Sequence, residues 1–338
     1  MPLDAILDRR LLIISGKGGV GKTTISAAIA ILAARHDLDV LVAEVEGSGS
    51  LSSIFGAEPL TTTPTELAPG VHGMNISPEE ALREYFEVQF HLRRIAKPVL
   101  ASQLVYYVTH AAPGLHDLLT LGKVWYAATR KREFDLIVFD TPAAGHAVSM
   151  LRSPEGFLHA VPIGRLAGHV RQVFDFLRDP EQVAIHLVTI GEEMPVNETI
   201  ETQRLLEERV GMNVGITYFN MAYPTVADDP DLARRFETLG GPEDLVAEAA
   251  ASGGSLSKPR ARALWETAEF YRCRRALQQE HRARLEEAVA HTAPIVDLPF
   301  LFRDRFGMKE LEMLADAIEE RLENPSSRSG AAAGRRAG

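Results

Sequence analysis

The stretch that most constrains the fold of this chain is SGKGGVGKTT, residues 15–24. It follows the apolar run LLIIS and precedes TISAAIAILAARH, in which alanine and other apolar residues favour a helix. Residues 16–23 also match the pattern GxxxxGKT, in the strand–loop–helix context that this pattern requires. The sequence therefore predicts a phosphate-binding loop in an α/β protein.

Each position of this loop has its own chemical task. Glycines allow the backbone N–H groups to turn inward around phosphate oxygens, and the positive end of the following helix points at the same anion. Lys22 is expected to reach the outer phosphates of ATP, and the Thr23 hydroxyl is expected to ligate Mg²⁺. The residues predicted to hold ATP are Gly16, Gly18, Gly19, Val20, Gly21, Lys22, Thr23 and Thr24.

The remaining apolar runs predict a mostly parallel sheet flanked by helices on both faces. Strands are expected at Leu11–Ser15, Val40–Glu46, Phe134–Asp140, 183–190, 214–220 and 293–300, with a mostly helical stretch between the second and the third. We interpret residues 8–322 as a single P-loop ATPase domain. Small helical insertions are expected at about residues 77–132 and 155–179, and a disordered tail at residues 324–338.

Composition limits the classes of partner and of site. The net charge of −10 argues against a nucleic-acid partner. Cys273 is the single cysteine of the sequence, so one chain cannot build a disulfide or a cysteine-rich zinc site. No signal-peptide pattern is present at the N-terminal end, and we expect a cytoplasmic protein.

Lys17 is a second lysine that a simple phosphate loop does not need. With it, the loop GKGGVGKT resembles the deviant phosphate loop of the MinD, ParA, nitrogenase iron protein and arsenical-pump/tail-anchored-protein-targeting ATPases. The resemblance implies that Lys17 reaches across a dimer interface to the partner's nucleotide, as a cation supplied in trans. A solvent-exposed lysine is the alternative interpretation.

Two later stretches resemble the arsenical-pump/tail-anchored-targeting branch of that class. VLVAEVEGSGSLSSIFG, residues 40–56, is similar to its first switch segment, and the water-orienting aspartate of that segment falls on Glu46. FDLIVFDTPAAGHAVSML, residues 134–151, is similar to its second switch segment. The resemblance implies that Asp140 holds hydrated Mg²⁺ and that Lys17, Lys22 and Glu46 are the catalytic residues.

Four further residues resemble the nucleotide contacts of this branch. Glu192, in VTIGEEMPVNETIETQRLLEE, falls on a position that approaches nucleotide across the dimer; charge balance at a helix N-terminus is the alternative. Asn220 resembles the adenine-reading asparagine, although asparagine at a strand end is also an ordinary turn residue. Pro299 and Phe300 resemble the loop that sandwiches the base.

The sequence departs from the family where metals are concerned. It has neither the cysteine cluster of arsenite pumps nor the CxxC pair that binds zinc in the eukaryotic targeting factor.

The resemblance implies a Mg²⁺-dependent ATPase that acts as a nucleotide-switched dimer, with a second ATPase subunit of the same or a paralogous chain. It would bind or target a protein client, either a hydrophobic protein or a membrane-targeting partner. The alternative is a nucleotide-sensing interaction or regulatory subunit with little turnover.

Overall fold

The computed structural model describes residues 3–45, 49–90, 114–224, 234–235, 238–289 and 293–323. Its centre is an eight-stranded sheet in the order β3-β4-β2-β5-β1-β6-β7-β8. The strands are β1 Leu11–Gly16, β2 Val40–Val45, β3 Thr65–Ala68, β4 Val71–Ile76, β5 Leu136–Asp140, β6 Val183–Ile190, β7 Val214–Ala222 and β8 Ile295–Pro299. Only β3 pairs in the antiparallel direction among these strands, so the sheet is mostly parallel.

The described helices lie between and beyond the strands. They are α1 Asp4–Leu7, α2 Lys22–Arg35, α3 Ser50–Phe55, α4 Pro78–Phe90, α5 Leu115–Tyr126, α6 Ala144–Ala160, α7 Arg165–Leu177, α8 Glu193–Leu205, α9 Pro242–Ala251, α10 Lys258–Val289 and α11 Met308–Glu323. Short π-helical turns extend α5 and α8 at Ala127–Lys131 and Leu206–Val210. In the part of the chain that the structure describes, no helix is long and apolar enough to cross a membrane.

Alternate residues of the central strand β1 face opposite sides of the sheet, as the two-residue period of a strand requires. Leu12 and Ile14 belong to the core that includes α2 and α11, whereas Leu11 and Ile13 belong to the core that includes α5, α6 and α7. All six residues of β1 are buried. The apolar run that predicted this strand is therefore continuous because helices cover both faces.

The structure confirms the predicted α/β fold and corrects one part of it. Strands form at the six predicted segments, and their ends differ from the predicted ends by at most two residues among the described positions. The expectation of a mostly helical stretch before β5 is wrong at residues 65–76, where β3 and β4 extend the edge of the sheet. Of the predicted first insertion, residues 91–113 lie outside the described residues, as does the tail 324–338. Residues 155–179 form the end of α6 and all of α7.

Candidate functional site

The phosphate loop joins the buried end of β1 to the start of α2, as predicted. Gly16 has φ 155°, and a Cβ atom there would lie 2.2 Å from the carbonyl oxygen of Val188. Gly21 has φ 92°, and a Cβ atom there would lie 2.5 Å from Nδ2 of Asn220. Both positions therefore require glycine for backbone conformation and for space. Gly18 and Gly19 are exposed at the rim of the loop.

Val20 anchors the loop by its side chain. This side chain is buried in the core that contains α2, while the backbone carbonyl of Val20 accepts a hydrogen bond from Nδ2 of Asn220 at 2.9 Å. Asn220, at the end of β7, is itself buried. The predicted adenine-reading residue thus supports the phosphate loop directly, and a contact with the base would add to this role.

The two lysines of the loop contact groups within the same chain. Nζ of Lys22 donates to the backbone carbonyl of Lys17 at 3.3 Å. Nζ of Lys17 lies 3.2 Å from Oε2 of Glu198 on α8, and both of these side chains are about one third exposed (31% and 32%). Burial lowers the pKa of Lys22, and the carboxylates of Asp140 and Glu198 oppose this effect. Both ammonium groups therefore lie beside the loop, where they can meet phosphate charge.

Asp140 and Thr23 form the polar end of the site. The Thr23 hydroxyl donates to Oδ2 of Asp140 at 2.6 Å. Oδ1 of Asp140 is buried and has no hydrogen-bond partner among the described residues. Burial raises the pKa of Asp140 to about 6, although the Thr23 hydrogen bond and the charge of Lys22 act in the opposite direction. A buried carboxylate with an unsatisfied oxygen beside a hydroxyl is suited to a hard cation.

Glu44 is a second buried acid at this end of the site, and it is the alternative to Glu46 for the water-orienting role. It lies on β2 directly across from Asp140 in the parallel ladder. Burial raises the pKa of Glu44, the charge of Asp140 adds to this effect, and the Leu51 backbone hydrogen bond opposes it. The predicted water-orienting residue Glu46 lies outside the described residues, two positions beyond Glu44.

The second switch segment begins immediately after Asp140. The Thr141 hydroxyl donates to the backbone carbonyl of Ile14 at 2.8 Å, which fixes the segment to the central strand. Nε2 of His146, in the first turn of α6, lies 3.2 Å from Oδ1 of Asp117 on α5. The switch segment is therefore in contact with both the sheet and the first helical insertion.

An aromatic cluster lies at the opposite edge of the site, where β7 and β8 end. Phe300, whose backbone N–H donates to the carbonyl of Ala222 at 2.8 Å, stacks on Tyr223 with ring centroids 5.1 Å apart. Phe302 lies 4.7 Å from Phe300, and Tyr271 of α10 lies 5.4 Å from Phe302. Pro299 pairs with Ala222 at the end of β8. The predicted loop residues thus lie in an apolar, partly exposed surface suited to a planar base.

Helix α10 holds the end of β7 in place through Gln278, which no sequence pattern singles out. Its Oε1 accepts from the backbone N–H of Tyr223 at 2.8 Å, and its Nε2 donates to the carbonyl of Met221 at 2.9 Å. Met221 has φ 57°, a conformation that is uncommon outside glycine. The buried amide therefore pairs the backbone groups of a strand end that turns sharply out of the ladder.

Glu192 pairs with a residue of α10 in this chain. It is the residue before α8, its side chain is 55% exposed, and its Oε1 lies 3.8 Å from Nη2 of Arg274. Arg274 also lies over the ring of Tyr223, at 5.9 Å from the ring centre. Glu192 is thus adjacent to the aromatic cluster at the ends of β7 and β8, which we call the base edge because its flat apolar rings suit a planar base. Its predicted contact across a dimer stays a prediction.

Comparison with known proteins identifies the family. The model of the anion-transporting ATPase family, ArsA, matches residues 9–161. The ATPase BagA of Mycobacterium tuberculosis is 31% identical over 240 residues, which cover 68% of this chain and 69% of BagA. The chain belongs to the ArsA ATPase family. An arsenical pump-driving ATPase of Acidiphilium multivorum and a putative one of Halobacterium salinarum are 29% and 25% identical, and the matches cover 40% and 36% of those proteins.

Membership of the ArsA family assigns ATP as the nucleotide and hydrolysis of ATP as the reaction of this chain. The matched residues 9–161 include the phosphate loop and Asp140. The base edge lies beyond the family model, on β7, β8 and α10. The sequence analysis selected Asn220, Pro299 and Phe300 in this region, and these selections stay predictions. It did not select Tyr223 and Tyr271, whose rings the structure places in the same cluster as Phe300 and Phe302. The spacing of aromatic residues in YFNMAY and LPFLFRDRF was the signal available for the cluster.

Proposed function

We propose that this ArsA-family ATPase is Mg²⁺-dependent and works as a nucleotide-switched dimer in the cytoplasm, where it binds or targets a protein client. The observation that carries the proposal is the arrangement of Lys17, Thr23 and Asp140 around one phosphate loop. The dimer, the metal and the client are each proposals beyond the family activity. A cytoplasmic location agrees with a supply of ATP and with the exposed thiol of Cys273.

The residues at the polar end of the site fit magnesium. Mg²⁺ prefers oxygen ligands, keeps several waters and is held in ATPases by few protein groups together with the substrate phosphates. Thr23 would ligate the ion directly, and Asp140, whose Oδ1 has no partner among the described residues, would hold its hydration shell. The bound ion would neutralise charge on the phosphate oxygens.

The protein's own groups would bind and orient the triphosphate. The glycines let backbone N–H groups face the phosphates, and Lys22 would leave the carbonyl of Lys17 to meet the outer phosphates. Glu46 would orient the attacking water. In a dimer, Lys17 would leave Glu198 and reach the nucleotide of the partner subunit, so the site would be completed only when two subunits meet.

The test is the mass of the protein in solution with Mg²⁺, with and without a non-hydrolysable ATP analogue. We expect the analogue to convert the wild-type chain into a dimer. Lys17→Ala should abolish this conversion and lower steady-state turnover by about a hundredfold or more, the range of a cation supplied in trans. Lys258→Ala, a lysine at the exposed start of α10, is the matched control and should behave as wild type.

The ion pair with Glu198 gives the same experiment a second arm. Because both side chains are partly exposed, the pair contributes little to stability, about 1 kcal/mol or less. Glu198→Gln should therefore leave the melting temperature unchanged and lower the analogue concentration needed for dimers. Glu201→Gln, on the same helix, is its control. Wild-type dimerisation that does not depend on Lys17 would rule out the in-trans arrangement.

The client is the least specified part of the proposal. Arsenite is not proposed as cargo, because the exposed Cys273 is the single thiol of the sequence and a cluster of thiolates cannot form within one chain. A regulatory subunit with little turnover is the second candidate function, and it is favoured by Glu46 at the position of the family's aspartate. Turnover of the purified chain, alone and mixed with a paralogous chain, separates these two candidates. Turnover that appears only in the mixture supports the regulatory subunit.

A further inference from the structure

The connection between α6 and α7 carries an exposed apolar tip. Residues 159–166, HAVPIGRL, are all exposed, whereas Val173 and Leu177 further along α7 are buried in the core against the sheet. Ile163 is 86% exposed, and Val161 and Leu166 are each 40% exposed. Isolated apolar side chains on a surface are common, but three within six residues at a helix–helix turn form a local patch.

Basic residues border this tip. From residue 156 to residue 174 the sequence contains no aspartate or glutamate, although the whole chain has 46 of them and a net charge of −10. Arg165 and Arg171 are exposed, and neither makes an ion pair among the described residues. The tip and the first turns of α7 therefore carry exposed basic and apolar side chains and no acid, on an acidic protein.

We propose that this tip docks on an anionic lipid bilayer. Val161, Ile163 and Leu166 would enter the boundary between headgroups and acyl chains, and Arg165 and Arg171 would pair with lipid phosphates. An acidic protein is repelled by an anionic surface, so a segment free of acids is the part that can approach it. The proposal goes beyond ATP hydrolysis and does not depend on the dimer.

The size of the tip favours a bilayer over a protein partner. A stable protein interface buries about 800 Å² on each partner and involves about 20–30 residues a side. Eight exposed residues are too few for such an interface, whereas weak bilayer binding needs only a few inserted apolar side chains and adjacent basic residues.

The location of the tip leaves the nucleotide site free. Helix α6 begins four residues after Asp140 and has 17 residues, so its far end lies about 25 Å from its start at 1.5 Å per residue. A bilayer bound at the tip would therefore contact the end of α6 that is far from His146 and from the nucleotide site.

The test is co-sedimentation of the full chain, without nucleotide, with two kinds of vesicle. One contains phosphatidylcholine alone, and the other contains about one phosphatidylserine in three lipids. We expect binding to the second kind, with an affinity that falls as salt is added. Ile163→Ser should weaken binding by about tenfold, and the pair Arg165→Gln and Arg171→Gln by about tenfold or more.

Matched variants on α10 control for a general loss of apolar or basic surface. Leu264→Ser, at a side chain that is 55% exposed, and the pair Arg260→Gln and Arg262→Gln should bind vesicles as wild type does. All tip variants change exposed side chains, so their melting temperatures and ATPase rates should be unchanged. The proposal is overturned if wild type binds neither vesicle, or if tip and control variants bind equally. It is also overturned if tip variants alter self-association but not vesicle binding, which would make the tip a protein contact.

Discussion

At the scale of single residues, stability and function make opposite demands on Asp140. Its carboxyl is buried and its pKa is raised to about 6, above the ordinary 3.8, so the folded protein binds this proton more tightly than the unfolded chain does. The sign follows from linkage: stability falls as pH rises through the interval from about 4 to 6, where the native carboxyl loses its proton. The charged carboxylate of Asp140 therefore lowers the stability of the fold, and its proposed role is to hold hydrated Mg²⁺.

Asp140→Asn should separate these two effects. Above about pH 6 the neutral amide should raise the free energy of unfolding of the nucleotide-free protein by up to about 3 kcal/mol, and the gain should vanish near pH 4. Turnover should fall by about a hundredfold or more, because the group proposed to hold hydrated Mg²⁺ loses its charge. Thermal melts across pH and steady-state ATPase assays measure the two effects. A variant that is less stable than wild type at neutral pH would contradict the sign.

Glu46 and Glu44 compete for the water-orienting role. Glu46 is the residue that the resemblance to the first switch segment selects, and a carboxylate misplaced by about 1 Å can cost a hundredfold in rate. Glu46→Ala should lower turnover by about a hundredfold or more, the range of general-base catalysis, with little change in nucleotide affinity. Glu44→Gln keeps an acceptor for the Leu51 backbone N–H and serves as the comparison. Unchanged turnover in Glu46→Ala together with loss in Glu44→Gln would move the role to Glu44.

At the scale of elements, the sequence predicted secondary structure best where an element is buried over most of its length. Three independent signals predict the same strand–loop–helix unit: the continuous apolar run of β1, the glycines of the loop and the alanine-rich sequence of α2. The run VHGMNI of β4, which lies next to the edge strand β3, mixes polar and apolar residues and shows no clear strand period. Gln278 of α10 could not be found either, because its role depends on a strand end that is 55 residues away in sequence.

Gln278→Ala tests whether α10 positions the base edge. The change leaves the N–H of Tyr223 and the carbonyl of Met221 without their side-chain partner, which should cost about 1–3 kcal/mol in the free energy of unfolding. We expect nucleotide affinity to fall by about tenfold, a loss of about 1.4 kcal/mol, with little change in turnover at saturating ATP. Titration calorimetry with an ATP analogue measures the affinity.

Gln279→Ala, the next residue and an exposed one, is the control for Gln278→Ala. It should leave both the melting temperature and the nucleotide affinity unchanged. If Gln278→Ala lowers the melting temperature but binds nucleotide as wild type does, α10 supports the fold and does not position the base edge.

At the scale of the whole molecule, strand order explains why the site has two chemically different ends. With β1 in the centre, β5 and β2 bring Asp140 and Glu44 to one side of the phosphate loop, and β7 and β8 bring Asn220 and the aromatic cluster to the other. A nucleotide that lies across the carboxyl ends of these strands meets acids at the phosphate end and apolar rings at the base end.

The net charge of −10 makes the proposed dimer sensitive to salt in a direction that can be predicted. Two acidic subunits repel each other through solvent, and added salt screens this repulsion because the Debye length shrinks from about 10 Å at 0.1 M to about 3 Å at 1 M. A Lys17 contact with phosphate inside a closed interface is screened much less. Association of the analogue-bound chain should therefore strengthen as salt rises, while vesicle binding by the α6–α7 tip weakens.

Sedimentation of the wild-type chain with the analogue at several salt concentrations measures this dependence. Lys17→Ala should stay monomeric throughout, which separates specific dimers from salt-induced aggregation. Dimers that dissociate as salt is added would instead indicate an interface dominated by exposed pairs of opposite charge, and the dependence on Lys17 would then need another explanation than a buried contact with phosphate.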